Sequence, residues 1–344
     1  MSTMRVLYTT GPGKYGLSEL PIPEPSYGEV RIRVSNAGLC PNEIRLREGL
    51  LPISYPVVPG HQFAGVVDSC GPDVRHLNSG DRVSVHSYIL CGNCQSCRSG
   101  GVHDCDNFNI LGFTLNGGFA EYCVIPEKCL FKLPSHVTLQ EGELVENTAN
   151  AVAAVRNAAI MPGESIVVIG TSPIGLLSLQ VASLWSPSKL VLIGSGVNYI
   201  QNIGGFGAGH LIDINDRSVI ERTNGIFKGK GADAVIVCDS GKDALEMAMG
   251  LVASQGRIVI EGHYDPSAKI TFSPFDLLVS RSVVIRANRG WLTPDYVMAL
   301  KLIADGMVDA KSLITHKFEL TQWEEAFETF STKRGNVIQV AIEP

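Results

Sequence analysis

The chain has 344 residues, 45% hydrophobic and 18% charged, with 34 Asp and Glu against 28 Lys and Arg for a net charge of −6. That length supports about two domains with buried cores, and the composition excludes long-range disorder. The acidic balance argues against a nucleic-acid partner, which takes a basic stripe, and no apolar run approaches the roughly 18 residues of a membrane span.

The start runs from Met4 and Arg5 into strand-like alternation rather than the apolar block of a signal peptide, which predicts a cytoplasmic protein. The first third reads as β structure. Segments 30–34, 65–67 and 82–85 are rich in β-branched residues, and Pro21, Pro23, Pro25, Gly28, Pro56, Pro59, Gly60 and Gly71 punctuate them. Short strands with frequent turns predict a barrel or sandwich. Around Glu146 the pattern changes to an Ala-rich, helix-favouring stretch over 149–159, stopped by Pro162 and Gly163. Apolar runs follow at 165–169, 190–193, 234–238, 257–260 and 283–285, with helices expected over 174–184 and 243–251. Such runs are what parallel strands covered on both faces require, so this part reads as βαβ units in a doubly wound sheet. The glycine-rich stretch 204–209 falls where a crossover helix should end and is poor helix material. Near the end, Thr293 reads as an N-cap and Pro294 as a first helical residue. Val297, Leu300 and Ile303 form the apolar face, and Gly306 the C-terminal cap.

Nine cysteines are too sparse for a secreted disulfide scaffold of this length. The strongest local signal is Cys91, Cys94, Cys97 and Cys105, four thiols within fifteen residues. Soft sulfur ligands at short spacing suit one tetrahedral Zn²⁺, and four protein ligands leave no open position, so this site would be structural. An iron–sulfur cluster or two disulfides are the other readings of the spacing. Cys70, Cys123, Cys129 and Cys238 need nothing beyond burial. Cys40, His61 and Glu146 are further candidate ligands. Taken singly they also read as a buried thiol, a turn histidine and a helix-start acid, and spacing alone does not bring them together.

After the apolar strand at 165–169, Gly170, Ser172, Pro173, Ile174 and Gly175 form a glycine fingerprint with Ser172 at its middle glycine position. A strand before it and a helix after it are the context in which backbone N–H groups hold a pyrophosphate. An acid about 20 residues on would bind the ribose 2′-OH of NAD. Gly194 and Ser195 stand there instead, and no arginine pairs a 2′-phosphate, so NAD and NADP both stay open.

Together these residues resemble the zinc-dependent medium-chain dehydrogenase/reductase family, near its sorbitol, polyol and threonine dehydrogenase branch. The resemblance runs from 38–43 through 60–65, the four-cysteine lobe, 116–122 and the glycine turn to 313–318 and 325–327. It implies an α/β protein: a GroES-like β-barrel catalytic domain over 1–152 and 286–344, with a structural-zinc lobe at about 88–108. A Rossmann NAD(P)-binding domain, a doubly wound parallel sheet, would occupy 153–285. It implies two Zn²⁺ per chain, one on Cys91, Cys94, Cys97 and Cys105. The other would be catalytic, on Cys40, His61 and Glu146. The implied reaction is hydride transfer between a secondary alcohol of polyol, sugar or cyclitol type and NAD or NADP, in a homodimer or homotetramer. Arg289 lies near the branch's substrate-side arginine, and Phe113, Tyr88 and Trp291 are candidate pocket walls. Two departures stand out. Gln62 replaces the family's Glu after the ligand histidine, where the residue is a possible ligand. Pro41-Asn42-Glu43 replaces Gly-Ser/Thr-Asp, and Asn42 has no hydroxyl to pass a proton. These departures give weight to an alternative, a non-catalytic, zinc-stabilised NAD(P)-binding sensor on the same fold.

Overall fold

The long β-branched stretch Glu29–Leu39 organises the first half of the chain in a computed structural model. The model describes every residue except Met1, Pro52, His263, Asp265, Pro266, Arg334 and Gly335, and the side chain of Lys242. The strand buries Val30, Ile32 and Val34 on one face by period-two alternation. It pairs antiparallel with Gln62–Cys70, Tyr122–Pro126 and the C-terminal strand Gln339–Glu343. Arg82–Val85, Leu130–Lys132 and Ile314–Glu319 complete a seven-stranded sheet. Leu39, Phe63, Phe119, Ile125, Phe327 and Ile342 lie in its core. Gly38 stands opposite Gln62 in the ladder, so the chain leaving at Cys40 runs beside the chain arriving from His61.

The second half folds as six parallel strands. Their order is His210–Asp213, Lys189–Gly194, Ser165–Ile169, Ala232–Val237, Val252–Ile260 and Val284–Ala287. Counted along the chain this is 3-2-1-4-5-6, the doubly wound dinucleotide-binding order, whose switch point lies between Ser165–Ile169 and Ala232–Val237. Helices Pro173–Ser183, Lys242–Leu251 and Thr293–Ala304 belong to this half.

The chain divides into two compact units, Met1–Glu146 with Leu313–Pro344, and Asn147–Ser312. The return to the first unit is therefore at 313, not at the expected 286. The reason is that Val284–Ala287 is a hydrogen-bonded strand of the parallel sheet, and Thr293–Ala304 follows it in the same unit. The first crossing falls inside helix Val145–Asn157, after Glu146, rather than at 152.

Three local expectations shift. The glycine-rich stretch cuts its crossover helix to Val197–Asn202, followed by a turn at Gly205–Gly207 and a strand, His210–Asp213, too short to read from pattern. Leu292, not Thr293, is the N-cap of the next helix, and its N–H donates to Asp295 Oδ2 at 2.8 Å. Cys70 is exposed, whereas Cys123, Cys129 and Cys238 are buried as expected.

Candidate active site and metal centres

Cys40 ends the central strand in an extended conformation and caps the short helix Pro41–Arg47. Glu43, at that helix's third position, reaches back: its Oε2 accepts the Cys40 N–H at 3.0 Å. Its other oxygen lies 2.5 Å from His61 Nδ1. One carboxylate thus fixes the thiol's backbone and the imidazole's orientation together. With Nδ1 protonated toward Glu43, Nε2 presents its lone pair on the other side, 3.5 Å from Glu146 Oε1. Ligating atoms of Cys40, Glu43 and His61 all lie within 4.8 Å of one another. Cys40, Glu43, His61 and Glu146 are 8%, 0%, 5% and 3% exposed, so these charges are held away from water.

Burial pushes the Cys40 thiol above its ordinary value and Glu146 up to about 7. For His61 burial acts downward, but the Glu43 and Glu146 carboxylates more than offset it and hold the ring well above its usual value. The two buried acids draw positive charge onto the imidazole; a divalent cation would supply that charge and leave the Nε2 lone pair to coordinate. Sulfur, nitrogen and oxygen donors suit Zn²⁺, and three protein ligands leave the open position of a catalytic centre. The residues present therefore fit the ion: Cys40 and His61 Nε2 would hold it together with Glu146, 3.5 Å from that nitrogen, and Glu43 would stand behind the histidine.

Glu43 was not singled out as functional by sequence reading. Its only signal is an acid three residues after a helix cap, a pattern common at helix starts. Asn42 is half-buried, and its backbone N–H donates to the Cys40 thiol. Gln62 faces elsewhere than its neighbour His61. A Cβ at Gly38 would meet Gln62 Oε1 at 3.3 Å, Glu143 Oε1 at 3.3 Å and Gln339 Nε2 at 2.6 Å, so these three side chains crowd around the glycine. Phe113 packs edge-on against His61, with ring centroids 5.3 Å apart. Trp291 is fully buried against Tyr296, and Tyr88 packs on His103 and Phe108, so both are packing residues. Arg289 is exposed in the second unit.

The four-cysteine lobe is built differently. Strands Tyr88–Ile89 and Asn109–Ile110 close its base, and the one-turn helix Gln95–Arg98 carries Cys97. Cys91 Sγ lies 3.5 Å from Cys105 Sγ and 3.9 Å from Cys97 Sγ. Sulfurs on a tetrahedron with ~2.3 Å metal bonds stand about 3.8 Å apart, so the spacing fits one Zn²⁺. All nine cysteines are free thiols. The Cys91 N–H donates to Cys105 Sγ and the Cys97 N–H to Cys94 Sγ, each at 3.4 Å. Backbone N–H groups of Asn93 and Cys94 hold the Cys91 thiol down to about 6, which favours a thiolate ligand.

In the second unit the turn after Ser165–Ile169 brings backbone into close approach. Gly170 has φ 116°, and a Cβ at Gly175 would meet Gly170 O at 2.2 Å. Ser172 caps helix Pro173–Ser183, accepting the Gly175 N–H at 3.3 Å and donating to Cys238 O at 3.4 Å. Its side chain is thereby engaged in the turn as a helix cap. Gly194 ends strand Lys189–Gly194, and exposed Ser195 accepts Thr171 Oγ1–H on its backbone oxygen at 3.0 Å. No helix among the described residues is long and apolar enough to cross a membrane.

Residues 26–135 match the family described as alcohol dehydrogenase GroES-like domain, and residues 173–305 match zinc-binding dehydrogenase. The L-threonine 3-dehydrogenase of Pyrococcus horikoshii is 31% identical over 97% of this chain and 98% of its own. The sorbitol dehydrogenase of Halalkalibacterium halodurans is 29% identical over 99% of each. Among solved structures, a zinc-binding dehydrogenase from Sinorhizobium meliloti bound to NADP superposes with a TM-score of 0.94 at 26% identity, over the full length of both chains. A GroES-like unit with a thiol–imidazole–carboxylate cluster, joined to a Rossmann sheet, defines a class of metal-dependent oxidoreductase. The chain belongs to the zinc-dependent medium-chain dehydrogenase/reductase family of alcohol dehydrogenases.

Proposed function

We propose that this protein is a zinc-dependent, NAD(P)-linked dehydrogenase that interconverts a secondary alcohol of polyol, sugar or cyclitol type and its ketone. The observation that carries the reading is the buried set of Cys40, His61 and Glu146 with Glu43 locking the imidazole. It is supported by relatives named for sorbitol and threonine, molecules that each carry a secondary alcohol. Zinc on Cys40, His61 and Glu146 supplies a Lewis acid that favours the deprotonated alcohol, and bound NAD(P) supplies the hydride acceptor.

The chain's own residues do the rest. Glu43 keeps His61 in one tautomer, Phe113 packs against that ring and shields it from water, and the Asn42 amide orients the hydroxyl. An amide cannot carry the alcohol proton, so that task falls to a water or to the Glu146 carboxylate beside His61. The turn of Gly170, Ser172, Pro173, Ile174 and Gly175 binds the pyrophosphate, with Ser172 and Ile174 offering backbone N–H groups, Pro173 presetting the first helical turn and the two glycines allowing close approach. Gly194 and Ser195 face the ribose, and Arg289 binds substrate hydroxyls or an acid group. Cys91, Cys94, Cys97 and Cys105 hold the second, structural zinc. Free thiols fit the reducing cytoplasm. The active form is a homodimer or homotetramer, supported by Phe275, Val279 and Val284, which are 67%, 68% and 56% exposed in the second unit.

A screen of polyols and cyclitols with NAD and NADP, following the reduced cofactor's absorbance, tests the reading together with metal analysis. Turnover with about two zincs per chain is expected. Cofactor binding with about one zinc and no turnover would instead identify a sensor.

A further inference from the structure

Glu261 is the first residue beyond strand Val252–Ile260, and its N–H donates to Val237 O at 2.8 Å. Asn288 is the first residue beyond Val284–Ala287, and its N–H donates to Ile260 O at 2.7 Å. The carboxyl ends of the last three strands are thus stapled in a staircase. On it, Asn288 Nδ2 donates to Glu261 Oε2. Asn288 is held in turn by helix Val145–Asn157. Its Oδ1 accepts Asn157 Nδ2 at 2.8 Å, and its amide also approaches Asn150 O at 3.4 Å. The acid sits in a fixed place, and no step proposed above uses it.

In a doubly wound sheet, a dinucleotide lies across the carboxyl ends of the strands. The glycine turn takes the pyrophosphate, and Gly194 and Ser195 mark the adenosine side. The nicotinamide half then falls to the strands ending at Cys238, Glu261 and Asn288. The oxidised ring carries a positive charge there and the reduced ring carries none. We propose that Glu261, clamped by Asn288, sets the relative affinity for oxidised and reduced nicotinamide by placing a carboxylate on the cofactor's nicotinamide side. The proposal rests on the dehydrogenase reading above.

Burial raises the Glu261 carboxyl to about 8, so its charge appears between neutral and alkaline pH. The charged and titratable groups on the elements around it bear on that titration. From the preceding strand these are the Cys238 thiol, pushed up by burial, and Asp239. Tyr264 lies on the following loop, donating to Asp239 O at 3.3 Å. The neighbouring strand contributes Asn288 and Arg289. The helix contributes Asn150 and Asn157, and Arg156, which is paired with Asp295 at 2.9 Å.

Dissociation constants of NAD⁺ and NADH, and of the phosphorylated pair, are measured by nucleotide and tryptophan fluorescence at about pH 6.5 and about pH 9.5. The samples are wild-type holoenzyme, Glu261→Gln and Glu261→Asp. In the wild type, the ratio of oxidised to reduced Kd should fall about tenfold from low to high pH, the size of one screened charge pair. Glu261→Gln, which keeps the Asn288 hydrogen bond, should be flat, and Glu261→Asp should restore the fall. A Glu261→Gln profile matching wild type overturns the proposal with the dehydrogenase reading intact. Failure of the wild type to bind either form overturns that reading and the proposal with it.

Discussion

Under the proposed function the two units assign their roles to different atoms. In the first, chemistry rests on side chains whose identity is exacting: a thiol, an imidazole and two carboxylates in the buried centre, and four thiols in the lobe. In the second, the dinucleotide turn works with backbone N–H groups, and its side chains matter by what they leave open. The difference teaches where substitutions are costly. Removing an atom should cripple the first unit, whereas only an added atom or charge should perturb the second.

The sharpest test is Cys40→Ser, expected to lower kcat/KM by on the order of a thousandfold or more by removing a soft ligand. Because the helix cap and the surrounding strand keep their backbone contacts, circular dichroism and the melting temperature should stay close to wild type. Retained turnover would remove the buried centre from the mechanism. Cys97→Ser is the converse. The one-turn helix of the lobe buries no residue, and its sulfurs meet without a disulfide, so the loop should depend on metal. Metal analysis should fall from about two zincs to about one, and limited proteolysis within 88–108 should speed up by about tenfold or more. An unchanged cleavage rate would mean that the lobe folds without its ion.

Glu43→Gln probes the residue that sequence reading missed. It keeps the shape but loses the charge and an acceptor, and partners behind metal-bound histidines typically contribute about 10–100-fold in metal affinity or activity. Chelator competition should show weaker retention at the buried centre only. If zinc is held as before, the 2.5 Å contact with His61 is mere packing.

What the sequence made legible follows the same division. The parallel strands stood out because both of their faces are covered, and the run at 165–169 has the bounds observed in the structure. His210–Asp213 was hidden because four residues, half of them polar, carry no periodicity. Cys40, His61 and Glu146 could be named by residue type but united only by the family resemblance, because the first two meet through a strand register, Gly38 opposite Gln62, and the third arrives on the helix Val145–Asn157. Glu43 and Glu143 were invisible as functional groups because each draws its character from burial, which no local pattern announces.

Glu143 gives the next test. It is 1% exposed, and burial holds its carboxyl well above the ordinary value, with Lys317 and Gln339 opposing. The folded value exceeds the unfolded one, so the folded state binds the proton more tightly. The resulting stability is present below the usual carboxyl range and lost as pH rises through the folded value. Glu143→Gln should therefore match wild type near pH 4 and melt a few degrees higher at alkaline pH, for about 1–2 kcal/mol. Parallel melting curves across that range would show that Glu143 finds compensation in the folded state.

Ser195→Asp should have the smallest effect, because it leaves every backbone donor of the turn in place. Ser195 is exposed, follows the strand that ends at Gly194, and touches the turn only through its own backbone oxygen and a 3.5 Å approach of its hydroxyl to Thr171. An acid here can accept from a ribose 2′-OH and repels a 2′-phosphate, so the change reads the ribose alone. We expect the NAD to NADP ratio of kcat/KM to rise about tenfold, about 1.4 kcal/mol of discrimination, with no loss of melting temperature. An unchanged ratio would mean that the ribose is read by groups other than this loop. A fall in both cofactors together would mean that the side chain at 195 supports the pyrophosphate turn, and the second unit would then depend on side-chain identity as the first does.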